Sequence, residues 1–162
     1  MITIRKMEDT LSDYNHMYEW FLDTDLRKWV WCNTPDETTI ELSQVIEKYR
    51  IRILNDVGVY PYFILLDGEP IGYIQYCFYA YSIGIDIWIG SSLYRNKGYG
   101  VSAINAMFEL LRESYASNTI ITIDPDPLNK RAIHCYEKAG FIYDHLEVDN
   151  CGNHYVMKRS LG

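Results

Sequence analysis

The sequence has few cysteines and no long apolar run. Four cysteines occur in 162 residues: Cys32, Cys77, Cys135 and Cys151. They form neither a CxxC pair nor the spacing of zinc ligands, so we expect thiols, without a disulfide framework or a metal site. The longest apolar stretches, such as residues 60–66, are far too short to span a bilayer, and residues 1–7 lack the apolar segment of a secretion signal. These absences predict a cytoplasmic protein that binds no membrane.

Basic stretches are also lacking. Asp and Glu number 22 against 15 Lys and Arg, which gives a formal net charge of −7. No basic stripe is interleaved with aromatics, so we expect no nucleic-acid partner, and the charge favours a small cationic molecule or a basic peptide instead. Low-complexity segments, internal repeats and Pro/Gly-rich linkers are absent as well. Residues 1–162 are therefore predicted to form a single domain, and the sequence leaves open whether it is a monomer or a homodimer.

Hydrophobic periodicity predicts an α+β fold with a mixed, mostly antiparallel central sheet flanked by helices. Strands are predicted over residues 2–5, 60–66, 71–81, 83–89, 119–123, 141–148 and 154–159. Helices are predicted over residues 11–22, 101–115 and 129–138, and over a segment with one apolar face formed by Leu42, Val45, Ile46, Tyr49 and Ile53. Thr34, Pro35 and Glu37 resemble an N-cap, a first-turn proline and a capping box for that segment.

A glycine-containing loop lies between a predicted strand and a predicted helix. Residues 95–100 read Arg-Asn-Lys-Gly-Tyr-Gly. At such a place the unpaired N–H groups and the positive end of the helix dipole can hold a pyrophosphate, and Gly98 and Gly100 let the backbone approach it closely. The loop lacks the third glycine of a dinucleotide-binding fingerprint and the Gly-Lys-Ser/Thr of a P-loop.

A second segment follows about thirty residues later. Residues 124–141 leave a β-branched strand and open a helix, with Asn129 placed as its N-cap. Tyr136 shares a helical face with Ala132 and Ile133, so from the pattern alone it is either a core residue or a functional one. Together the two segments resemble the acetyl-CoA site of GNAT-family N-acetyltransferases. That resemblance implies the GNAT fold, acetyl-CoA as co-substrate, and a Tyr136 hydroxyl that hydrogen-bonds the thioester sulfur and assists the leaving thiolate.

One carboxylate stands in an apolar strand. Residues 84–90 place Ile85, Ile87 and Ile89 on one side and leave Asp86 on the other. Aspartate is disfavoured there unless it is paired or functional. This strand, together with residues 17–20, Trp29 and residues 60–75, resembles the aminoglycoside 6′-N-acetyltransferases within the GNAT family. The resemblance implies that Asp86 accepts the proton of the substrate amine.

The resemblance also implies two sets of contacts. The implied cofactor contacts are Trp88, Ile89, Arg95, Asn96, Lys97, Gly98, Tyr99, Gly100, Val101, Asn129, Arg131, Ala132, Tyr136 and Lys138. The implied substrate contacts are Trp29, Asp25, Tyr76, Asp86 and Asp126. Further candidates for the acceptor cleft, on aromatic character or negative charge, are Trp31, Phe78, Tyr79 and Asp23. Residues 76–83 form a short link where some drug-modifying members carry a longer acidic insertion.

We therefore expect an acetyl-CoA-dependent enzyme that acetylates a primary amine of a small cationic acceptor by direct attack in a ternary complex. The 6′-amino group of an aminoglycoside is the acceptor that the resemblance favours. Two alternatives stay open at this point: an N-acetyltransferase for another small amine or a peptide amine, and an acyl-CoA-binding regulatory module without turnover.

Overall fold

The computed structural model describes residues 1–31 and 39–162. In them seven strands form one sheet, and five helices pack against it. The strands are β1 Ile2–Lys6, β2 Val59–Leu66, β3 Glu69–Phe78, β4 Ile83–Ile89, β5 Ile120–Ile123, β6 Ile142–Asp149 and β7 Gly152–Ser160. The helices are α1 Leu11–Phe21, α2 Thr24–Val30, α3 Leu42–Leu54, α4 Tyr99–Arg112 and α5 Lys130–Lys138. A short 3₁₀ turn, Ser92–Tyr94, precedes α4.

The sheet is mixed and mostly antiparallel, as predicted. Its strand order is β1-β2-β3-β4-β5-β7-β6, and the pairing of β4 with β5 is parallel while all the others are antiparallel. This parallel pairing is confined to Ile83 with Ile121 and Gly84 with Thr122. Beyond Gly84 the two strands diverge, so residues 85–89 of β4 have an edge without a β5 partner. The sheet therefore opens into a V-shaped cleft, which we call the strand split.

Each face of the sheet carries its own core. Residues such as Ile74, Ile85 and Phe108 fill the layer under α4 and α5. On the opposite face, Phe21 of α1 and Tyr49 of α3 pack in a second core with further aromatic residues of the sheet. Asp86 pairs with Gln75 and Trp88 with Tyr73 across β3 and β4, and alternation along β4 places these side chains on the face of α1 and α3.

Several predicted boundaries differ from the observed ones. The sequence did not predict α2, a helix of seven residues whose N-cap Asp23 accepts from the N–H groups of Asp25 and Leu26. β3 ends at Phe78 rather than at residue 81, and α4 begins at Tyr99 and ends at Arg112. The predicted cap at residues 34–37 lies outside the described residues. α3 begins at Leu42, where the Gln44 side chain accepts from the backbone N–H of Glu41 at 2.8 Å.

The cysteines also correct one expectation. Cys77 and Cys135 are free, as predicted, but Cys151 is disulfide-bonded, so the expectation of thiols is wrong for this residue. Over the ranges 1–31 and 39–162, no helix is long and apolar enough to cross a membrane.

Candidate active site

Asp86 lies on the floor of the strand split. Protein atoms surround its carboxyl group, yet the side chain is solvent-exposed, which is the arrangement of a residue at the bottom of an open cleft. Removal from bulk water raises the pKa of Asp86, while the hydrogen bond from Gln75 and the positive charge of Arg52 oppose that rise. A carboxylate with a raised pKa is a better proton acceptor than an ordinary surface aspartate.

A second carboxylate faces the first across the strand split. Asp124 follows directly on β5, and part of its side chain is solvent-exposed. The protein atoms packed around its carboxyl group keep water away from it, and this desolvation, together with the charge of Asp86, raises the pKa of Asp124 to about 7. His154 on β7 acts in the opposite direction on both carboxyl groups. The backbone N–H of Tyr155 donates to the carbonyl of Pro125 at 2.9 Å, which holds the end of β5 against β7. The two aspartates form a negative site suited to a cationic ligand.

Sequence reasoning missed Asp124 as a site residue. Its position at the carboxyl end of a β-branched strand was visible, but nothing in the spacing showed that β5 ends beside Asp86. Only the divergence of β4 from β5 brings the two carboxyl groups onto one cleft.

Tyr136 reaches the strand split from α5. Its side chain is 7% exposed and packs edge-on against Phe141 with the ring centroids 6.5 Å apart. Burial raises the pKa of Tyr136 far above its usual value, and the negative charges of Asp86 and Asp124 add to that rise. The phenol therefore stays protonated across the working pH range, so it can donate a hydrogen bond but is a weak acid.

Tyr136→Phe should consequently lower kcat by roughly three- to tenfold, which is the value of one hydrogen bond. Because the phenol does not titrate near neutral pH, the pH dependence of kcat should keep its shape in the variant. Steady-state kinetics from pH 5.5 to 9 check this expectation. A change in the pKa of either limb of the profile would contradict the donor role.

The loop before α4 presents its backbone to the solvent at a helix start. Asn96 has φ of 61° and Gly98 has φ of 81°, so the chain turns twice through the left-handed region before the helix begins. Gly98 is the N-cap and supplies no side chain to the first turn. The N–H groups of Tyr99, Gly100 and Val101 are therefore left for a ligand, as the predicted pyrophosphate site requires.

Close packing places α5 beside this loop. A Cβ at Gly100 would lie 2.9 Å from the sulfur of Cys135, so α4 starts in contact with α5. Asn129 caps α5 by accepting from the N–H of Ala132 at 3.3 Å. Three cations around the loop have exposed side chains: Lys97, Arg131 and Lys138. None of them forms an ion pair with another of the described residues.

Arg95 differs from these cations because its guanidinium already has partners. It donates to the carbonyls of Ile89 at 3.2 Å and Gly90 at 3.1 Å, and to the carboxylate of Asp23 at 3.0 Å. The other oxygen of Asp23 caps α2. One carboxylate thus joins the loop before α4 to the start of α2, and Arg95 supports the loop through its side chain.

We expect Asp23→Asn to weaken binding of CoA by roughly three- to tenfold, because an asparagine keeps the cap of α2 but loses the ion pair with Arg95. Isothermal titration of the variant with CoA measures the effect. Glu19→Gln is the matched control, since it removes one negative charge from the neighbouring part of α1 and breaks no ion pair of the described residues. Equal Kd values for the Asp23 variant and the wild type would show that this contact does not order the loop.

The predicted acceptor residues lie on several different elements. On α2, Asp25 and Trp29 are exposed one helical turn apart, and Trp29 is 40% exposed. Burial and a hydrogen bond with Cys77 raise the pKa of Tyr79, and the charges of Asp124 and Asp86 add to that rise. A Cβ at Gly84 would overlap the ring of Tyr79, so this ring packs over β4 at the last residue that pairs with β5. Asp126 accepts from the N–H of Leu128 at 2.8 Å in the turn before α5.

Tyr76 and Phe78 lie on the other face of the sheet. Tyr76 pairs with Ile85 rather than with Asp86, and its ring stacks on Tyr60 with centroids 4.7 Å apart. Phe78 packs edge-on against Tyr115 in the same aromatic group. The alternation of β3 therefore separates both rings from Asp86, and we leave them out of the acceptor site. Trp31 packs against Phe21 with centroids 5.2 Å apart, as part of the second core.

A V-shaped split beside a parallel strand pair, a phosphate-type helix start and a carboxylate in the split together define a GNAT acetyltransferase. The family model of the acetyltransferase (GNAT) domain matches residues 9–149. The chain belongs to this family and is an acetyltransferase, as the sequence predicted.

Relatives within the family have names that describe a narrower activity than the family name does. The aminoglycoside N(6′)-acetyltransferase type 1 of Klebsiella pneumoniae is 35% identical over 154 residues, which cover 86% of this chain and 73% of the relative. Among solved structures, the aminoglycoside acetyltransferase AAC(6′)-Ib in complex with ribostamycin and coenzyme A has a TM-score of 0.84 at 30% identity, covering 98% of this chain and 93% of that chain. The same enzyme with coenzyme A and kanamycin has a TM-score of 0.83, again at 30% identity, covering 99% of this chain and 95% of that chain.

Proposed function

We propose that this protein transfers the acetyl group of acetyl-CoA to the 6′-amino group of an aminoglycoside. The observation that carries the proposal is the pair of carboxylates, Asp86 and Asp124, on the two arms of the strand split. Such a pair attracts a polyamine ring system and can take a proton from one of its ammonium groups. The relatives named above support the choice of this amine.

Acetyl-CoA would lie along the unpaired edge of β4. The pyrophosphate would accept from the N–H groups at the start of α4, and Asn96 and Lys97 border that position. The pantetheine arm would pair with the backbone of Trp88 and Ile89, since this edge has no β5 partner. Arg131 and Lys138 are exposed cations for the phosphates of the nucleotide end.

The chemistry follows from the groups in the split. Asp86 takes a proton from the acceptor ammonium, directly or through one water, and the free amine attacks the thioester carbonyl. Backbone N–H groups of residues 87–89 polarise the carbonyl oxygen. The C–N bond forms as the C–S bond breaks, and the Tyr136 hydroxyl donates a hydrogen bond to the departing thiolate. The new amide nitrogen loses its second proton, through solvent, to the thiolate, and Asp86 returns the first proton to water.

The acceptor would enter from the side of α2. Asp25 and Trp29 on that helix, Tyr79 beyond β3 and Asp126 before α5 would supply an aromatic and acidic border to the acceptor site. Aromatic faces and carboxylates both favour cationic sugars.

Direct transfer also predicts that acetyl-CoA alone leaves no acetyl group on the protein, which the intact mass of the enzyme measures.

A matched pair of acceptors tests the proposal. Neomycin and paromomycin differ in carrying an amine or a hydroxyl at the 6′ carbon. We expect thiol release from acetyl-CoA with neomycin, kanamycin and tobramycin, and a rate at least about 10²-fold lower with paromomycin. Equal rates with neomycin and paromomycin would move the acetylated position away from the 6′ carbon. Turnover with small amines and none with the antibiotics would overturn the proposal that the acceptor is an aminoglycoside. Tight CoA binding without turnover of any acceptor would overturn the proposal that the protein is a catalyst.

A further inference from the structure

The side chain of Gln75 connects the candidate base to a half-buried cation. Gln75 lies on β3 opposite Asp86 and is 6% exposed. Its Nε2 donates to Oδ2 of Asp86 at 2.8 Å. Its Oε1 accepts from the hydroxyl of Tyr73 at 2.6 Å and from Nη1 of Arg52 at 2.9 Å. The contact with Tyr73 is buried, and the contacts with Asp86 and Arg52 are partly buried.

These contacts fix which way the amide points. A guanidinium has donors only, so the atom of Gln75 that faces Arg52 has to be the oxygen, and the nitrogen has to face Asp86. Arg52 itself is held over the ring of Tyr49, with its central carbon 5.0 Å from the centroid. The amide therefore has one orientation and presents its donor to Asp86.

The same contacts leave one oxygen of Asp86 open. Only Oδ2 accepts a hydrogen bond from the described residues, and Oδ1 accepts none from them. An acceptor ammonium can then meet Oδ1 while Gln75 keeps Oδ2 in place. A carboxylate that accepts a hydrogen bond at one oxygen keeps its rotamer and can still accept a proton at the other oxygen.

We propose that Gln75 is the positioning residue of the reaction: it orients the carboxylate of Asp86 toward the acceptor amine and couples it to the positive charge of Arg52. The proposal rests on the proposed role of Asp86 as base. Asp86 reacts with the substrate, whereas Gln75 and Arg52 act through it.

Several groups determine the protonation of Asp86. Those that the structure places within electrostatic or hydrogen-bonding reach are Gln75, Arg52, Tyr49, Tyr73, Cys77, Tyr79, Asp124, Tyr136 and His154. Burial favours the protonated form, and the hydrogen bond from Gln75 and the charges of Arg52 and His154 favour the ionised form. Removal of Gln75 takes away the one direct donor that the described residues offer to Asp86, so the carboxyl group should protonate at higher pH.

Gln75→Leu tests the proposal, because it keeps the approximate volume and removes both the donor and the acceptor. We expect kcat to fall by about tenfold or more, with an unchanged KM for acetyl-CoA and with the acid limb of the pH profile moved to higher pH. Arg52→Met should act in the same direction, and Arg52→Lys should recover part of the rate because it restores the charge. An unmoved acid limb in Gln75→Leu, at a thermal midpoint close to that of the wild type, would overturn the proposal.

A second readout needs no acceptor. The ¹³C NMR titration of the aspartate carboxyl carbons follows Asp86 in the free protein, with Asp86→Asn used for its assignment. A titration of Asp86 at higher pH in Gln75→Leu supports the coupling even if the acceptor is another amine. Identical titrations in wild type and variant would overturn the coupling whether or not any aminoglycoside is acetylated. The failure of the acceptor proposal is thus distinguishable from the failure of this one.

Discussion

Asp86→Asn should lower kcat with an aminoglycoside acceptor by roughly 10²- to 10⁴-fold, the range that a positioned general base contributes. The asparagine keeps the shape of the side chain and can still meet Gln75, but it cannot accept the proton of the ammonium group. The acceptor has to arrive unprotonated, so the remaining activity should rise with pH up to the pKa of the acceptor amine. The KM for acetyl-CoA should stay close to that of the wild type, because the loop before α4 is untouched.

The measurement is the pH dependence of kcat and of kcat/KM for wild type and variant, with thiol release as the signal. Binding of CoA to both proteins is the control for folding. A variant with full kcat over the whole pH range would contradict the assignment of Asp86 as base.

Asp124→Asn should have two opposite effects, on acceptor use and on stability. The loss of one of the two carboxylates should lower kcat/KM for the acceptor by roughly 10- to 100-fold, because a charge-assisted hydrogen bond in the cleft is lost. Most of this loss should be in KM, since Asp86 remains as base.

The same substitution should stabilise the fold at alkaline pH. The pKa of Asp124 is about 7 in the folded protein against an ordinary value of 3.8, so the folded state holds its proton more tightly than the unfolded chain. The free energy of unfolding then falls as the pH rises from about 4 to 7 and stays low above that range. An asparagine does not titrate and avoids this loss.

Thermal unfolding at pH 4 and pH 8 measures the second effect. We expect the midpoint of Asp124→Asn to exceed that of the wild type at pH 8 and to match it at pH 4. A difference in the reverse order, larger at pH 4, would mean that the folded protein favours the ionised form of Asp124. Such a conflict between stability and substrate use is typical of functional carboxylates.

The sequence predicted the parts of the site that depend on local pattern. The loop of residues 95–100 is recognisable because a strand, two glycines and a helix follow one another in the chain, and the structure has this order. Asp86 is recognisable because a carboxylate breaks an isoleucine alternation in β4. Both features belong to single elements, so tertiary contacts were not needed to find them.

The parts that the sequence did not predict depend on contacts between elements. α2 is short, and only two residues, Leu22 and Asp23, lie between it and α1, so the sequence pattern does not show where one helix ends and the next begins. Tyr76 looked suitable by residue type, and only its register with Ile85 shows which face it occupies. Gln75 and Asp124 matter because of what β3 and β5 bring close to Asp86, and a linear pattern contains no information on such distances.

The position of the acetyl group on the product tests the central claim most directly. Neomycin and acetyl-CoA are incubated with the protein until thiol release stops, and two-dimensional NMR of the purified product identifies the acylated nitrogen. We predict a single product, acetylated at the 6′ nitrogen, which Asp86→Asn forms at the reduced rate given above. A product acetylated at another nitrogen, or at several, would contradict an acceptor site in which the two aspartates present the 6′ amine to the thioester.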